Sequence, residues 1–195
     1  NKFNEFEKKK SFKMDEYRLK LLGEGSFGLV FKVIFGNKTF VAKIMKREDD
    51  EPNKLSKLEK KISSIKSPNV KQLIDKYITK ILGIHLKPTP QVIIFEYLEG
   101  SDLFDYLNTK TDEELSHDEF YTIITKLILS VTLLHNKLRM SHRDLKPQNI
   151  FYNSESGKFK LIDFGFACSL NSKQCFNRYQ GTSNYIHPRM NNKKM

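Results

Sequence analysis

The stretch "HRDLKPQNI", His142 to Ile150, sets a carboxylate, an ammonium and an amide at fixed spacing. Asp144 can accept a proton from a hydroxyl nucleophile. Lys146 can neutralise charge on a phosphoryl group in transit, and Asn149 offers an amide oxygen to a hard cation. Nineteen residues beyond Asp144 comes "DFG", Asp163 to Gly165, where a second carboxylate can hold Mg2+ between phosphates and Gly165 lets the chain turn. Two oxygen ligands completed by phosphates and water are the usual way in which a protein binds Mg2+.

Two stretches earlier in the chain add to this chemistry. Gly23, Gly25 and Gly28 in "GEGSFGLV" fit Gly-x-Gly-x-x-Gly-x-Val. A dinucleotide fold needs a helix after these glycines, whereas Leu29 to Phe35 reads as strand; a Walker-type loop fails because no Gly-Lys-Ser/Thr follows. A strand–loop–strand flap remains. Lys43, in "VAKI", is set among apolar residues, so its ammonium must be paired or meet an anion. Glu59 on the following helix is the expected partner, with Glu48 and Glu51 as alternatives.

The elements that must carry these residues follow from the hydrophobic pattern. Tyr17 to Leu22, Leu29 to Phe35 and Thr39 to Met45 are β-prone, and Gly36-Asn37 is a hairpin-type turn pair, which predicts three antiparallel strands. Leu55, Leu58, Ile62 and Ile65 recur at helical intervals, and Pro68 is expected to end that helix. Gln91 to Leu98 is an apolar run of strand length, broken at Gly100-Ser101 before a short helix, Asp102 to Leu107. The clearest helix runs from Ser116 to about Leu138, with Ser116 and Glu119 as a capping box and Phe120, Ile123, Ile124, Leu127, Ile128, Val131 and Leu134 on its apolar face. "NIFYN" and "KFKLIDF" flank Ser154 to Gly157 as a hairpin.

Composition narrows the class of partner. The 195 residues suffice for a sizeable core, and a formal charge of +11 favours acidic partners, be they nucleotides, nucleic acid, phosphorylated protein or a membrane surface, without choosing among them. Lysines are scattered and no basic stripe carries interleaved aromatics, which argues against nucleic acid. No apolar run is long enough for a membrane span or a signal peptide, so an intracellular site, cytoplasmic or nuclear, is expected. Cys168 and Cys175 show no Cys-x-x-Cys spacing and are expected to be free thiols of a reducing compartment.

Over roughly residues 15 to 189 this set of motifs, in this order, resembles the eukaryotic-type protein kinase catalytic domain. The resemblance implies an α+β, bilobal fold: an antiparallel β-sheet N-lobe with one main helix, and a mainly α-helical C-lobe that is incomplete in this chain. Residues 1–14 would be an N-terminal extension, 15–98 the N-lobe and hinge, and 99–195 the partial C-lobe. It further implies that Gly23, Gly25 and Gly28 cover the phosphates of ATP, and that Lys43 contacts the α- and β-phosphates while pairing with Glu59. Asp144 would be the base, assisted by Lys146, with Asn149 and Asp163 on Mg2+. Val30, Ala42 and Phe151 would enclose the adenine, Phe95 would back it, the backbone of Glu96 and Leu98 would bond it, and Asp102 would reach the ribose. Lys146 and Pro147 match the serine/threonine type, and Arg143 disfavours small-molecule phosphotransferases of related fold.

The implied activity is phosphoryl transfer from ATP to Ser or Thr of a protein substrate. The alternative is a pseudokinase or nucleotide-binding scaffold acting through protein interaction. Departures from the pattern bear on regulation and extent. His187-Pro188-Arg189 stands where the family has Ala-Pro-Glu, and Arg178 stands where many relatives carry an activating phosphothreonine, so activity without loop phosphorylation is expected. The chain stops at Met195, where relatives continue through further helices. A fragment is expected, or a partner or missing segment that covers the apolar face of the Phe120 to Leu134 helix.

Overall fold

The computed structural model describes residues 17–25, 28–46, 51–87, 90–110, 115–172 and 180–186. It divides into two compact units. The first comprises the chain through Ser56 together with Lys80–Leu98; the second comprises Lys57–Thr79 together with residues from Glu99 onward.

The first unit is built on five strands: β1 (Tyr17–Glu24), β2 (Gly28–Phe35), β3 (Lys38–Met45), β4 (Ile81–His85) and β5 (Val92–Glu96). They form one antiparallel sheet in the order β1-β2-β3-β5-β4. Phe35 pairs with Lys38 across a two-residue connection in which Gly36 has φ +55°, the sign that a type II′ turn asks of its first central residue. At the same end of β2 Tyr17 stacks on its register partner Phe35, with ring centroids 4.6 Å apart. Such cross-strand aromatic pairs help fix which residues face each other. Val33, Ala42 and Ile94 form the buried centre, with Tyr17, Phe31, Phe40, Leu82 and Val92 packed around it.

Helix α1 (Glu51–Ser64) follows β3, and Leu55 and Leu58, three residues apart, are fully buried. Pro68 does end the helical run before it, but it also opens a second helix, α2 (Pro68–Tyr77). Ser67 Oγ accepts from the Val70 amide, and proline fits the first helical position because the N–H it lacks would have no partner there. Beyond α2, Ile78 bridges to Leu161 in parallel, and the Thr79 amide donates to the Leu161 carbonyl at 3.0 Å. These bonds explain why residues 57–79 group with the second unit although strands of the first lie on either side of them in sequence.

In the second unit, β6 (Ser101–Asp102), β8 (Ile150–Asn153) and β9 (Lys158–Leu161) make a three-stranded sheet in the order β6-β8-β9, and β7 (Met140–Ser141) pairs with β10 (Cys168–Ser169). Helix α3 (Leu103–Asn108) starts at Asp102, whose carboxylate accepts from the Asp105 amide at 2.9 Å. Helix α4 (His117–Thr132) starts at Ser116, whose hydroxyl oxygen accepts from the Glu119 amide at 3.2 Å. Only this half of the expected capping box forms, because the Glu119 carboxylate is engaged elsewhere. The helix ends in a π-helical turn, Leu133–Lys137, that buries both Leu133 and Leu134. On α4 itself Ile123 is buried, whereas Phe120, Ile128 and Leu129 stay exposed.

One expectation is corrected here. Cys168 is disulfide-bonded and is not a free thiol. The absence of Cys-x-x-Cys spacing speaks to metal sites and redox motifs, and leaves two cysteines of one segment free to pair. Cys175, the only other cysteine, lies outside the described residues.

Candidate active site

The loop between β7 and β8 is drawn together by its own polar groups. Asn149 Nδ2 donates to both the backbone carbonyl and Oδ2 of Asp144, each at 2.8 Å. Asp144 Oδ1 accepts from the amide and the hydroxyl of Thr182, also at 2.8 Å each. Lys146 Nζ donates to the Thr182 hydroxyl oxygen at 2.8 Å and lies 3.4 Å from Asp144 Oδ2. A carboxylate has about four acceptor sites. Three hydrogen bonds occupy them here, which leaves one on Oδ2 for an incoming hydroxyl.

Asp144 is buried, at 6% exposure, and burial pushes its carboxyl pKa up. The two bonds from Thr182, the Lys146 charge and the Asn149 bond outweigh that effect and hold it below the usual carboxylate range. It is therefore an anion at neutral pH.

Thr182 reaches Asp144 because Gly181 precedes it. Gly181 has φ +125°, and a Cβ there would lie 2.6 Å from the Arg143 carbonyl oxygen. Any side chain would push the segment off the loop. The contribution of Gly181-Thr182 to the site comes from contact across 38 residues, which spacing does not reveal.

The second carboxylate is tied in through Ile162. The Ile162 amide donates to the Asn149 carbonyl at 3.0 Å, and its carbonyl lies 2.9 Å from His142 Nε2. Asp163 follows directly, with φ +53°, and its Oδ1 accepts from the Gly165 amide at 3.2 Å. Arg143 has φ +69°, and with Asp163 and Arg139 it makes up the non-glycine residues of positive φ among those described. Such backbone costs about 1–3 kcal/mol per residue and gathers at functional sites. His142 is buried with its ring 4.7 Å from that of Phe164. Burial depresses its pKa despite the Ile162 bond and the nearby Asp163 and Asp144 charges, so the ring is a neutral strut.

The donor set suits a hard cation. With Nδ2 of Asn149 committed to Asp144, its amide oxygen is the atom to offer, and Asp163 presents an exposed carboxylate at the neighbouring end of the hairpin.

The other predicted residues fall as follows. In the first unit Lys43 is buried at 9% exposure in β3, in register between Val30 of β2 and Ile93 of β5; Ala42 is likewise buried, between Phe31 and Ile94. Gly23 and Gly25 lie at the exposed end of β1, and the Gly25 amide donates to the Gly28 carbonyl at 2.9 Å. Glu96 closes β5, with its amide donating to the Lys80 carbonyl at 3.0 Å and its carboxylate accepting from the Lys80 amide at 2.8 Å; Leu98 is half-buried just beyond. In the second unit Asp102 and Phe151 are register partners of β6 and β8, and Glu59 is exposed on α1. Burial raises the Asp102 pKa, partly opposed by its bond from the Asp105 amide. Glu48, Arg178 and His187–Arg189 lie outside the described residues, and so does the side chain of Glu51.

Comparison with known proteins gives a match to the protein kinase domain over residues 17–195. Serine/threonine-protein kinase 36 of Mus musculus is 30% identical over 187 residues, covering 91% of this chain and 13% of that protein. Calcium-dependent protein kinase 5 of Plasmodium berghei (strain Anka) is 30% identical over 182 residues, covering 92% of this chain and 30% of that protein. MAP kinase-activated protein kinase 2 of Oryctolagus cuniculus is 28% identical over 184 residues, covering 92% of this chain and 49% of that protein. The chain thus spans half or less of the length of each of these relatives.

Proposed function

The chain belongs to the protein kinase domain family, and from that premise we propose that it is a serine/threonine protein kinase, transferring the γ-phosphoryl group of ATP to a protein hydroxyl. The observation that carries this reading is the anionic Asp144, fixed by Thr182 and Asn149 with one acceptor site left over. Asp144 takes the proton of the attacking serine or threonine hydroxyl as its oxygen bonds to the γ-phosphorus. The bond from phosphorus to the bridging oxygen breaks, and ADP leaves. Lys146, beside Asp144, balances charge on the phosphoryl group in transit.

Asn149 and Asp163 are the ligands for Mg2+, which when bound neutralises phosphate charge. Gly23, Gly25 and Gly28 are assigned to the phosphates through their backbone, and Lys43 to the α- and β-phosphates with Glu59 as its partner. Val30, Ala42 and Phe151 are assigned to adenine, the backbone of Glu96 and Leu98 to its hydrogen-bonding edge, and Asp102 to the ribose.

The test is transfer of radiolabelled phosphate from ATP to a generic protein acceptor, followed by phosphoamino-acid analysis. Phosphoserine or phosphothreonine should form, and should vanish with Asp163→Ala. Nucleotide binding without any transfer by the unaltered protein would overturn the reading in favour of a scaffold.

A further inference from the structure

Glu119, in the first turn of α4, gathers three other side chains. Its carboxylate accepts from the Tyr106 hydroxyl of α3 at 2.5 Å and from the Tyr152 hydroxyl of β8 at 3.0 Å, and Lys110 Nζ lies 3.5 Å away. The Tyr106 and Tyr152 rings meet edge to face at 5.0 Å. Nothing in the phosphoryl-transfer chemistry uses this cluster.

Each tyrosine adjoins a residue assigned above to the nucleotide. Tyr152 follows Phe151 in β8, and Tyr106 lies one turn beyond Asp102, the residue that caps α3. Successive strand residues point to opposite faces, so whatever fixes Tyr152 also fixes where Phe151 points. Helix α3 has six residues, too few to hold its shape without tertiary anchors. Gly100 lies close to the same ring: with φ +136°, a Cβ there would come within 2.9 Å of Phe151 Cζ. The register pair Asp102 and Phe151 is thus fixed by Gly100 against the ring, and through Tyr106 and Tyr152 by one carboxylate.

We infer that Glu119 is a positioning residue for nucleotide binding, acting through Tyr106 and Tyr152 on the Asp102–Phe151 pair. The inference rests on the nucleotide reading given above. Glu119 and Tyr152 each keep a single charge state through the neutral range. The bond from Tyr106 holds the Glu119 carboxyl below its usual range, while burial, and then Glu119 itself, push Tyr152 up to about 12.

The test measures the Kd of an N-methylanthraniloyl-ATP probe and the thermal melting midpoint, side by side, in the full-length protein. Glu119→Ala should weaken the probe roughly three- to tenfold and raise the KM for ATP in parallel, with kcat unchanged, because the hydroxyls of buried Tyr152 and half-buried Tyr106 lose their acceptor. Glu119→Gln, which keeps an acceptor oxygen, should restore Kd to within about twofold of the unaltered protein. Should Glu119→Ala fail to fold, Tyr106→Phe and Tyr152→Phe must each weaken the probe. A lowered melting midpoint with unchanged Kd, or failure of Glu119→Gln to rescue, would overturn the inference. No probe binding by the unaltered protein would overturn the nucleotide reading itself and this inference with it.

Discussion

At Gly23 and Gly25 a methyl group would meet no atom of the described residues within 4 Å, whereas both carboxylate oxygens of Asp144 already have donors. The first place is the end of a strand, β1, whose residues are almost all exposed, Leu19 at 64%; the second is a loop that buries His142, Asp144 and Asn149. Both are assigned to one reaction, so the contrast indicates a division of labour. Groups that stabilise developing charge act best when already oriented, since no reorganisation is then needed during the reaction. A cover over phosphates must admit and release them, and so is built with few contacts to break.

The largest effect should follow from removing the oriented carboxylate. Asp144→Asn keeps the shape and one acceptor oxygen but cannot take a proton, so kcat should fall roughly 10²–10⁴-fold, about 3–5 kcal/mol of barrier. Nucleotide affinity should change little. Equal losses in both quantities would mean that Asp144 binds and does not catalyse, and the contrast with the glycines would lose its basis.

A smaller effect is expected at Gly28, the glycine that does belong to the packed sheet. A Cβ there would stand 2.4 Å from the Ile44 carbonyl oxygen, a backbone atom that cannot turn aside. Gly28→Ala should destabilise the first unit by about 1–3 kcal/mol, as overpacking does. Urea denaturation with an unchanged midpoint would show that the sheet is looser there than its register indicates.

Thr182→Val comes next. It leaves the backbone bond to Asp144 but removes the hydroxyl that joins Asp144 to Lys146, so turnover should drop about tenfold, equivalent to one hydrogen bond to a charged group. Thr182→Ser should retain most activity. If serine is as poor as valine, the methyl group and not the hydroxyl is what the loop uses.

Why Thr182 escaped the sequence reading, while Asp144, Asn149 and Asp163 did not, is a matter of range. The three legible residues lie in two short motifs joined by one hairpin, and the β8–β9 ladder with Ile162 as its link brings the motifs together. Thr182 is brought to the loop by Gly181, a distant approach with no local periodicity. The strands β1 to β3 were legible because Gly36-Asn37 and β-prone runs agree. Helix α2 is less legible, since Pro68 signals the end of one helix as readily as the start of another, although Ser67 before it is an N-cap signal. The pairing of Cys168 was missed for a similar reason: spacing rules for metal sites carry no information on it.

Acid should separate the two regions as well. His142, Asp144 and Glu119 all have folded pKa values below their usual ones and belong to the second unit. For each, the unfolded chain binds a proton before the folded one does, so stability is present at higher pH and is lost as pH falls. The loss should begin below about 6.5 through His142 and steepen below about 4 through the carboxylates, with Asp102, raised and opposite in sign, offsetting part of it. Hydrogen exchange at pH 7 and pH 5 should show amides of β8 and β9 losing protection while those of β2 and β3 keep theirs. Uniform loss in both would mean that the units unfold as one.

The smallest effect on stability is the one that most sharpens the contrast. Gly23 and Gly25 have neither the positive φ that disfavours other residues nor any neighbour among the described residues that a methyl group would strike. Gly23→Ala and Gly25→Ala should leave the urea midpoint within about 0.5 kcal/mol, or raise it slightly because the unfolded chain loses freedom. The described part of the fold therefore gives no reason for glycine at either position. If the reason is a phosphate that must approach the backbone, the same variants should bind ATP more weakly while remaining as stable as the unaltered protein. Unchanged affinity in both would detach this loop from the phosphates and leave Asp144 and its partners as the sole support for the assigned chemistry.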